Sequence, residues 1–128
     1  MKRVILAAVF AVVAGVASAD PIEGIWRTAP DDNGNSGHVQ VVPCGPAFCG
    51  TLIKSFDSAG KSTASDSIGK LIIWDVVPSG ATGYKGMLWS PDRDKEYKSK
   101  LTLSGDSMAV EGCIAFLCRD GGTWARVQ

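Results

Sequence analysis

Helical periodicity is nearly absent from this chain of 128 residues, and histidine is scarce. After the first nineteen residues, apolar side chains do not recur every three to four positions, which argues against amphipathic helices. His38 is the single histidine, so no two-histidine metal site can form. At most one Ser–His or Cys–His catalytic pair is available, and it would have to use His38. We therefore expect a protein without regular helices, without a metal or other cofactor, and without enzymatic activity. The alternative is an enzyme that uses two carboxylates brought together by the fold for acid–base chemistry.

Charge of one sign is also lacking. Thirteen Lys and Arg residues balance thirteen Asp and Glu residues, which gives a formal net charge of zero at pH 7. A protein that binds nucleic acid needs a basic stripe to displace counterions from the phosphates, and the sequence has no such stripe. We expect no nucleic-acid partner.

Long apolar runs are missing except at the N-terminus. A basic Met-Lys-Arg head precedes an uncharged run over residues 4–19, which ends in the A-x-A cleavage pattern Ala17-Ser18-Ala19. This run is shorter than the ~20 residues that span a bilayer. We expect residues 1–19 to be a cleaved signal peptide and residues 20–128 to be one domain without a membrane span. That domain would lie in the periplasm of a Gram-negative bacterium or in the medium.

Four cysteines form two pairs with the same spacing. Cys44 and Cys49 enclose Gly-Pro-Ala-Phe, and Cys113 and Cys118 enclose Ile-Ala-Phe-Leu. Four cysteines allow three pairings, and an exported protein keeps its disulfides. We favour two local bridges, because each closes a short loop that contains a turn and contributes about 2 kcal/mol. Zinc ribbons and redox-active thiols more often use C-x2-C spacing.

The remaining sequence consists of short β-rich runs separated by Gly, Pro, Asn and Asp. The predicted strands are 24–27, 38–42, 50–56, 71–77, 84–89, 96–103, 107–112 and 123–127. Short strands joined by tight turns predict an all-β, up-and-down antiparallel barrel of about eight strands, because closure removes exposed sheet edges. A sandwich is the alternative. The long loop 57–70 is typical of functional or mobile segments.

Alternation along the strands predicts which side chains face inward. In 96–103, Lys98 and Lys100 belong in water, so Tyr97, Ser99, Leu101 and Leu103 face the interior. The same reasoning places Val39, Val41, Met108 and Val110 inside. Candidates for the lining of a ligand pocket are Trp74, Tyr84, Leu88 and Tyr97. The alternative is that such side chains fill the core of a small barrel.

The two ends of the predicted barrel domain carry a matching pair of motifs. Gly24-Ile25-Trp26 begins the first strand, and Trp124-Ala125-Arg126 lies in the last. These strands are neighbours in a closed barrel, where the Arg126 guanidinium can cover the Trp26 ring. The pair resembles the G-x-W and late-arginine motif of lipocalin-like (calycin) barrels. The resemblance implies that Gly24, Trp26, Trp124 and Arg126 close one end of the barrel.

A wider resemblance covers nearly the whole predicted domain. Gly24 and Trp26, Pro43-Cys44-Gly45 with Cys49-Gly50, Gly112-Cys113, Leu117-Cys118-Arg119 and Trp124-x-Arg126-Val127 are similar to the exported bacterial family called domain of unknown function 2147. Two departures are local. Asp94 stands where the family often has a turn glycine, and Asp120-Gly121-Gly122 replaces a more compact polar stretch. The family has no established activity, so the resemblance implies fold and compartment and no catalytic residue.

Two functions follow from a barrel of this size. An eight-stranded barrel is either filled by side chains or holds one small ligand, so a non-enzymatic protein that binds a small apolar or amphipathic molecule is the first hypothesis. A protein-binding module, such as a protease inhibitor or an envelope-assembly partner, is the second. Inhibitors of the calycin class insert an N-terminal arm, and only residues 20–23 precede the first strand here.

Overall fold

The computed structural model describes residues 19–128, and every regular element in that range is a β-strand. The strands are β1 (Gly24–Arg27), β2 (Ser36–Cys44), β3 (Ala47–Phe56), β4 (Ser62–Thr63), β5 (Leu71–Pro78), β6 (Gly83–Ser90), β7 (Lys95–Ser104), β8 (Ser107–Ile114) and β9 (Leu117–Arg126). Residues 19–128 contain no helix of the length and apolarity that crossing a membrane requires. Except for Ala19, the predicted signal peptide lies outside the described residues.

The strands form one closed antiparallel barrel. Sequence neighbours pair from β5 to β9, β3 pairs with both β2 and β5, and β1 pairs with both β2 and β9. The last contact closes the barrel, with Trp26 opposite Arg126. The two-residue strand β4 is attached to β3 and lies outside the ring of eight. The predicted up-and-down barrel of eight strands is confirmed, and the sandwich is excluded.

The strands on either side of both cysteine pairs are longer than predicted. The chain from Cys44 to Cys49 turns at Gly45-Pro46, so β2 and β3 run up to that turn. The chain from Cys113 to Cys118 likewise turns at Ala115-Phe116, so β9 begins at Leu117 and not at Thr123. The Asp120-Gly121-Gly122 stretch resembles a strand break in sequence. It is accommodated as an irregularity opposite β8, where the pairing register shifts.

Both disulfides are local, so the prediction of a barrel stapled by two disulfides is confirmed. Cys44 is joined to Cys49, and Cys113 to Cys118, with no free cysteine in the described chain. The first bridge lies at the end of the barrel where β2 ends, and the second lies at the opposite end. Each bridge therefore fixes one hairpin and does not tie distant strands together.

The core occupies the end of the barrel near the first bridge, and we call it the closed end. Alternation places the predicted inner residues Val39, Val41, Ser99, Leu101, Met108 and Val110 in buried positions. Tyr97 and Leu103, also predicted inside, are half-buried. Large side chains complete the core: Ile22, Trp26, Ile73, Val76, Tyr84 and Trp124. Side chains therefore fill the closed end.

Gly50 marks a tightly packed position in this core. A Cβ atom there would lie 2.7 Å from Val39 Cγ1 and 2.8 Å from Ile73 Cγ1. We expect Gly50→Ala to lower the free energy of unfolding by about 1–3 kcal/mol through overpacking, as measured by urea denaturation. The matched control is Gly112→Ala, whose Cβ would lie 3.5 Å from the nearest atom, Tyr97 Cγ. Equal losses in both variants would contradict the packing argument.

Candidate functional site

The end of the barrel opposite the core is hollow. A cavity of about 970 Å³ opens between the β1–β2 loop, the 57–70 loop, the β6–β7 turn and the β8–β9 turn. Its wall includes the apolar side chains Leu52, Ile72, Leu88, Val110 and Trp124, together with Tyr97. Sites for small molecules typically enclose ~300–1,000 Å³ behind mostly apolar walls. The open end thus has the size and polarity of a ligand site.

Small residues on the inner face create this space. Ser99 of β7 pairs with Gly112 of β8, so neither strand sends a large side chain into the cavity at that level. The Ser99 hydroxyl donates a hydrogen bond to the Glu111 carbonyl oxygen at 3.0 Å. Since that donor is satisfied within the wall, the interior near Ser99 stays largely apolar. Nearer the closed end, the paired residues Leu101 and Val110, followed by Leu103 and Met108, occupy the corresponding inner positions.

Charged residues gather at the rim of the cavity. Those that line it are Asp31, Asp32, Asp92, Arg93, Lys95, Arg119 and Asp120. Arg93 Nη2 lies 2.9 Å from Asp32 Oδ2, so an ion pair connects the β6–β7 turn to the β1–β2 loop. Both side chains are more than half exposed, at 52% and 72%. Such an exposed pair contributes little free energy.

Arg119 differs from the other rim charges in its position. It pairs with Gly112 across β8 and β9, and directly paired residues share one face of a sheet. Its side chain therefore belongs to the inner face and lines the cavity. The arrangement combines an apolar wall with a guanidinium group at the entrance.

The closed end is sealed by Trp26 and Arg126. Trp26 is fully buried, and the central guanidinium carbon of Arg126 lies 4.4 Å from the ring centroid. Arg126 Nε donates to Asp106 Oδ1 at 3.1 Å. At Gly24, where φ is +132°, a Cβ atom would lie 2.8 Å from Arg126 Nη1, so only glycine leaves room for the guanidinium. Trp124, also buried, contributes to both the core and the cavity wall.

The short segment before β1 acts as a plug for this end. Ile22 is fully buried, and its carbonyl oxygen accepts a hydrogen bond from Trp26 Nε1 at 2.9 Å. Arg126 donates from Nη1 to the Glu23 carbonyl oxygen at 2.8 Å and from Nη2 to the Pro21 carbonyl oxygen. Residues 20–23 therefore belong to the barrel and do not form a free arm that could enter a protease.

Comparison with known proteins agrees with this architecture. The model of a family described as uncharacterized protein conserved in bacteria, DUF2147, matches residues 24–126. The chain belongs to this family. Protein HP1028 from the human pathogen Helicobacter pylori, described as belonging to the lipocalin family, is structurally similar, with a TM-score of 0.65 and 15% sequence identity over 84% of this chain and 83% of that chain. At this identity the likeness shows a lipocalin-like fold alone. No curated protein matches the chain.

One departure from the DUF2147 pattern has a structural explanation. Asp94 has a φ of +49°, in the left-handed region where a turn glycine is unstrained. Aspartate tolerates that region better than most residues because its short side chain can bond locally. Here its carboxylate accepts a hydrogen bond from Trp89 Nε1 at 3.0 Å. The substitution therefore preserves the turn.

The structure brings two of the four predicted lining residues to the DUF2147 cavity. Leu88 and Tyr97 line it. Trp74 instead faces a shallow outer groove beside Trp89, because its neighbour Ile73 is fully buried on the inner face. Tyr84 lies in the closed end, where its hydroxyl donates a hydrogen bond to Asp20 Oδ1. His38 lines neither the cavity nor the groove.

The Tyr84–Asp20 contact has a titration consequence. Burial, and then the hydrogen bond and the charge of Asp20, raise the pKa of Tyr84 above its ordinary value of about 10. The neutral phenol therefore stabilises the fold fully below pH ~10. That contribution is lost as the pH rises through the pKa of the folded state, because the unfolded chain releases its proton first.

Ultraviolet titration checks this consequence. The chain has two tyrosines, so Tyr97→Phe leaves Tyr84 as the only phenol. In that variant we expect phenolate absorbance to appear only as alkaline pH unfolds the protein, whereas in denaturant the midpoint should be ~10. A reversible transition near pH 10 in the folded variant would show that Tyr84 is not held in its neutral form.

Proposed function

We propose that this DUF2147 protein is exported and binds one small apolar or amphipathic molecule in its barrel, without catalysing a reaction. The observation that carries the proposal is the cavity of about 970 Å³ with apolar walls and an open mouth. At the open end, a cavity of that size takes the place of the close side-chain packing that stabilises the closed end. A binding function explains why the barrel retains this cavity.

The wall and the rim together define the class of ligand. Ile72, Val110 and Trp124 offer apolar surface inside, whereas Arg119 offers a cationic group at the entrance. An amphipathic molecule can bury its apolar part and keep its polar end near the rim. An anionic polar end matches the guanidinium of Arg119.

The chemistry of the cavity wall supports binding rather than catalysis. The buried hydroxyl of Ser99, which is paired with the lining residue Gly112, donates to a backbone carbonyl and not to a base. The single histidine, His38, lies elsewhere, so it cannot activate a nucleophile in the cavity.

Export is supported by the N-terminal sequence and by the two disulfides. Cleavage after Ala19 would convert the Asp20 nitrogen, which lies 3.0 Å from Glu23 Oε2, into an ammonium group beside a carboxylate. The mass of protein from a periplasmic extract is therefore expected to match residues 20–128 with two disulfides. An unprocessed mass, or residence in the cytoplasm, would refute export.

Binding is tested by native mass spectrometry of protein purified without detergent, and by fluorescence titration with two probes. We expect N-phenyl-1-naphthylamine, which is uncharged, and anilinonaphthalene sulfonate, which is anionic, to bind with one-to-one stoichiometry. Arg119→Gln should weaken binding of the anionic probe by roughly three- to tenfold and leave the uncharged probe unaffected. A ligand-free mass together with no binding of either probe would overturn the proposal.

A further inference from the structure

An exposed apolar tip caps the β8–β9 hairpin. It consists of Ile114, Phe116 and Leu117, whose exposed fractions are 65%, 98% and 76%. Scattered apolar residues are common on protein surfaces, but a contiguous exposed cluster marks an interaction site. The tip is the part of the described chain where three large apolar side chains, close in sequence, are mostly exposed.

The second disulfide holds this tip in place. Cys113 and Cys118 are directly paired at its base, and Ile114 pairs with Leu117 immediately above them. Ala115 completes the tight turn with a φ of +56°. A cross-linked two-residue turn cannot fold its side chains back onto the barrel, so the apolar surface remains presented to the solvent.

The tip stands beside the mouth of the cavity. Ile114 and Leu117 belong to the set of residues that line the cavity. Their side chains therefore continue the apolar wall outward, and Phe116 extends it to the solvent.

We propose that the apolar tip docks the protein on the surface of a lipid bilayer, with Phe116 and Leu117 inserted at the boundary between headgroups and acyl chains. A lipid surface closes around a convex apolar projection of any shape, whereas a protein partner must supply a matching pocket. Three such side chains present on the order of 400 Å². A stable protein–protein interface buries about 800 Å² on each partner, so a second copy of the chain is a poorer fit.

The charges near the tip indicate how docking is driven. Arg119 and Asp120 follow it on β9, and Asp92, Arg93 and Lys95 lie on the neighbouring rim. Because both signs are present, attraction to anionic headgroups is weak, and burial of apolar surface provides the driving force. Docking rests on the tip alone. Passage of a ligand from the bilayer into the cavity rests in addition on the proposed function.

Vesicle flotation tests the proposal. The purified protein is mixed with vesicles of phosphatidylcholine alone, or of phosphatidylethanolamine and phosphatidylglycerol. We expect flotation with both compositions, and retention of binding at about 1 M NaCl, where charges are screened beyond ~3 Å. Phe116→Ser combined with Leu117→Ser should reduce the partition coefficient by roughly tenfold or more. The conservative pair Phe116→Leu and Leu117→Ile should retain it.

Val42→Ser supplies the matched control. Val42 is 42% exposed and lies on β2 near the closed end. The Val42→Ser variant should therefore lose exposed apolar surface and still float with the vesicles. The proposal is overturned if the unsubstituted protein stays at the bottom of the gradient, if the double serine variant floats equally, or if Val42→Ser is equally impaired. A dimer in sedimentation that disappears in the double variant would assign the tip to a second copy and would also overturn it.

Probe binding separates this proposal from the proposed function. Phe116→Ser alone should also reduce flotation, and this variant should bind N-phenyl-1-naphthylamine as the unsubstituted protein does, because Phe116, unlike Leu117, does not line the cavity. Loss of flotation with intact probe binding supports the docking role of the tip. Absent flotation of the unsubstituted protein with intact probe binding refutes docking and leaves the cavity proposal standing. Flotation of the unsubstituted protein without probe binding supports docking and refutes the cavity proposal.

Discussion

Replacement of Trp26 by alanine is expected to lower the free energy of unfolding by about 3–5 kcal/mol. The side chain is fully buried, lies under the Arg126 guanidinium, and donates its indole hydrogen to Ile22. Truncation leaves a cavity at the closed end and frees the plug formed by residues 20–23. Domains of this size are typically stable by only ~5–15 kcal/mol, so the variant should approach the unfolding threshold at room temperature.

Urea denaturation followed by near-ultraviolet circular dichroism measures this loss. The matched control is Trp89→Ala, since Trp89 is half-buried and bonds to the exposed Asp94. Trp89→Ala should lower the free energy of unfolding by less than half as much as Trp26→Ala does. If Trp26→Ala fails to fold, Trp26→Phe provides the measurement. The Trp26→Phe variant keeps an aromatic ring under Arg126 but loses the indole hydrogen bond. This loss should lower the free energy of unfolding by about 1 kcal/mol or somewhat more. Equal losses at Trp26 and Trp89 would refute the sealing role.

The parts of the fold that the sequence predicts are those set by local periodicity. Alternation of side chains identified Val39, Val41, Leu101 and Met108 as inner residues, because a strand buried on one face must repeat every second position. Closure was predictable because Trp26 and Arg126 lie on the first and last strands. The first inference requires no knowledge of distant contacts, whereas the second rested on the resemblance to the lipocalin-like motif.

Failures of the sequence prediction occur where the period is interrupted. Trp74 appeared suitable for the cavity, but the register of β5 against β3 shifts before it, so the consecutive residues Ile72 and Ile73 are both buried and Trp74 faces outward. Such a bulge changes which side chains face inward after it. Tyr84 was misplaced for another reason. Its partner Asp20 lies 64 positions away, in a segment with no regular structure to predict.

The hollow end could not be predicted, because it depends on the sum of side-chain volumes at one level of the barrel. Ser99 and Gly112 are unremarkable in sequence, and only their pairing across β7 and β8 reveals a level without large side chains. Ile22 and Arg119 were missed as functional residues. A signal for Arg119 was available, since its sequence position places it next to a cysteine of a short hairpin.

The two ends of the barrel divide stability and binding between them. Apolar packing, the Trp26–Arg126 contact and the plug are concentrated at the closed end. The open end holds the cavity, exposed charges and the apolar tip, none of which contributes much to folding. Because the strands are continuous between the ends, the closed end can hold the open end in shape without filling it. Substitutions in the cavity should then affect binding more than stability.

Gly112→Leu is the substitution that separates these two effects most sharply. A Cβ atom at Gly112 would lie 3.5 Å from Tyr97 Cγ and 3.8 Å from Leu88 Cδ2, which are ordinary contact distances. The remaining atoms of leucine must enter the cavity, because the inner face is the only direction open to a side chain at this position of β8. We expect binding of N-phenyl-1-naphthylamine to weaken by roughly tenfold or more, since the probe and the new side chain compete for the same space.

The control for this substitution lies on the same strand. Ala109 is exposed on the outer face of β8, so Ala109→Leu adds apolar volume without entering the barrel. It should bind the probe as the unsubstituted protein does. Thermal unfolding should show that Gly112→Leu is as stable as the parent or slightly more so, because a side chain in a strand restricts the unfolded chain and fills space in the folded one. Unchanged probe affinity in a folded Gly112→Leu variant would place the probe outside the cavity. A matching loss in Ala109→Leu would show that the effect comes from the strand rather than from the occupied volume.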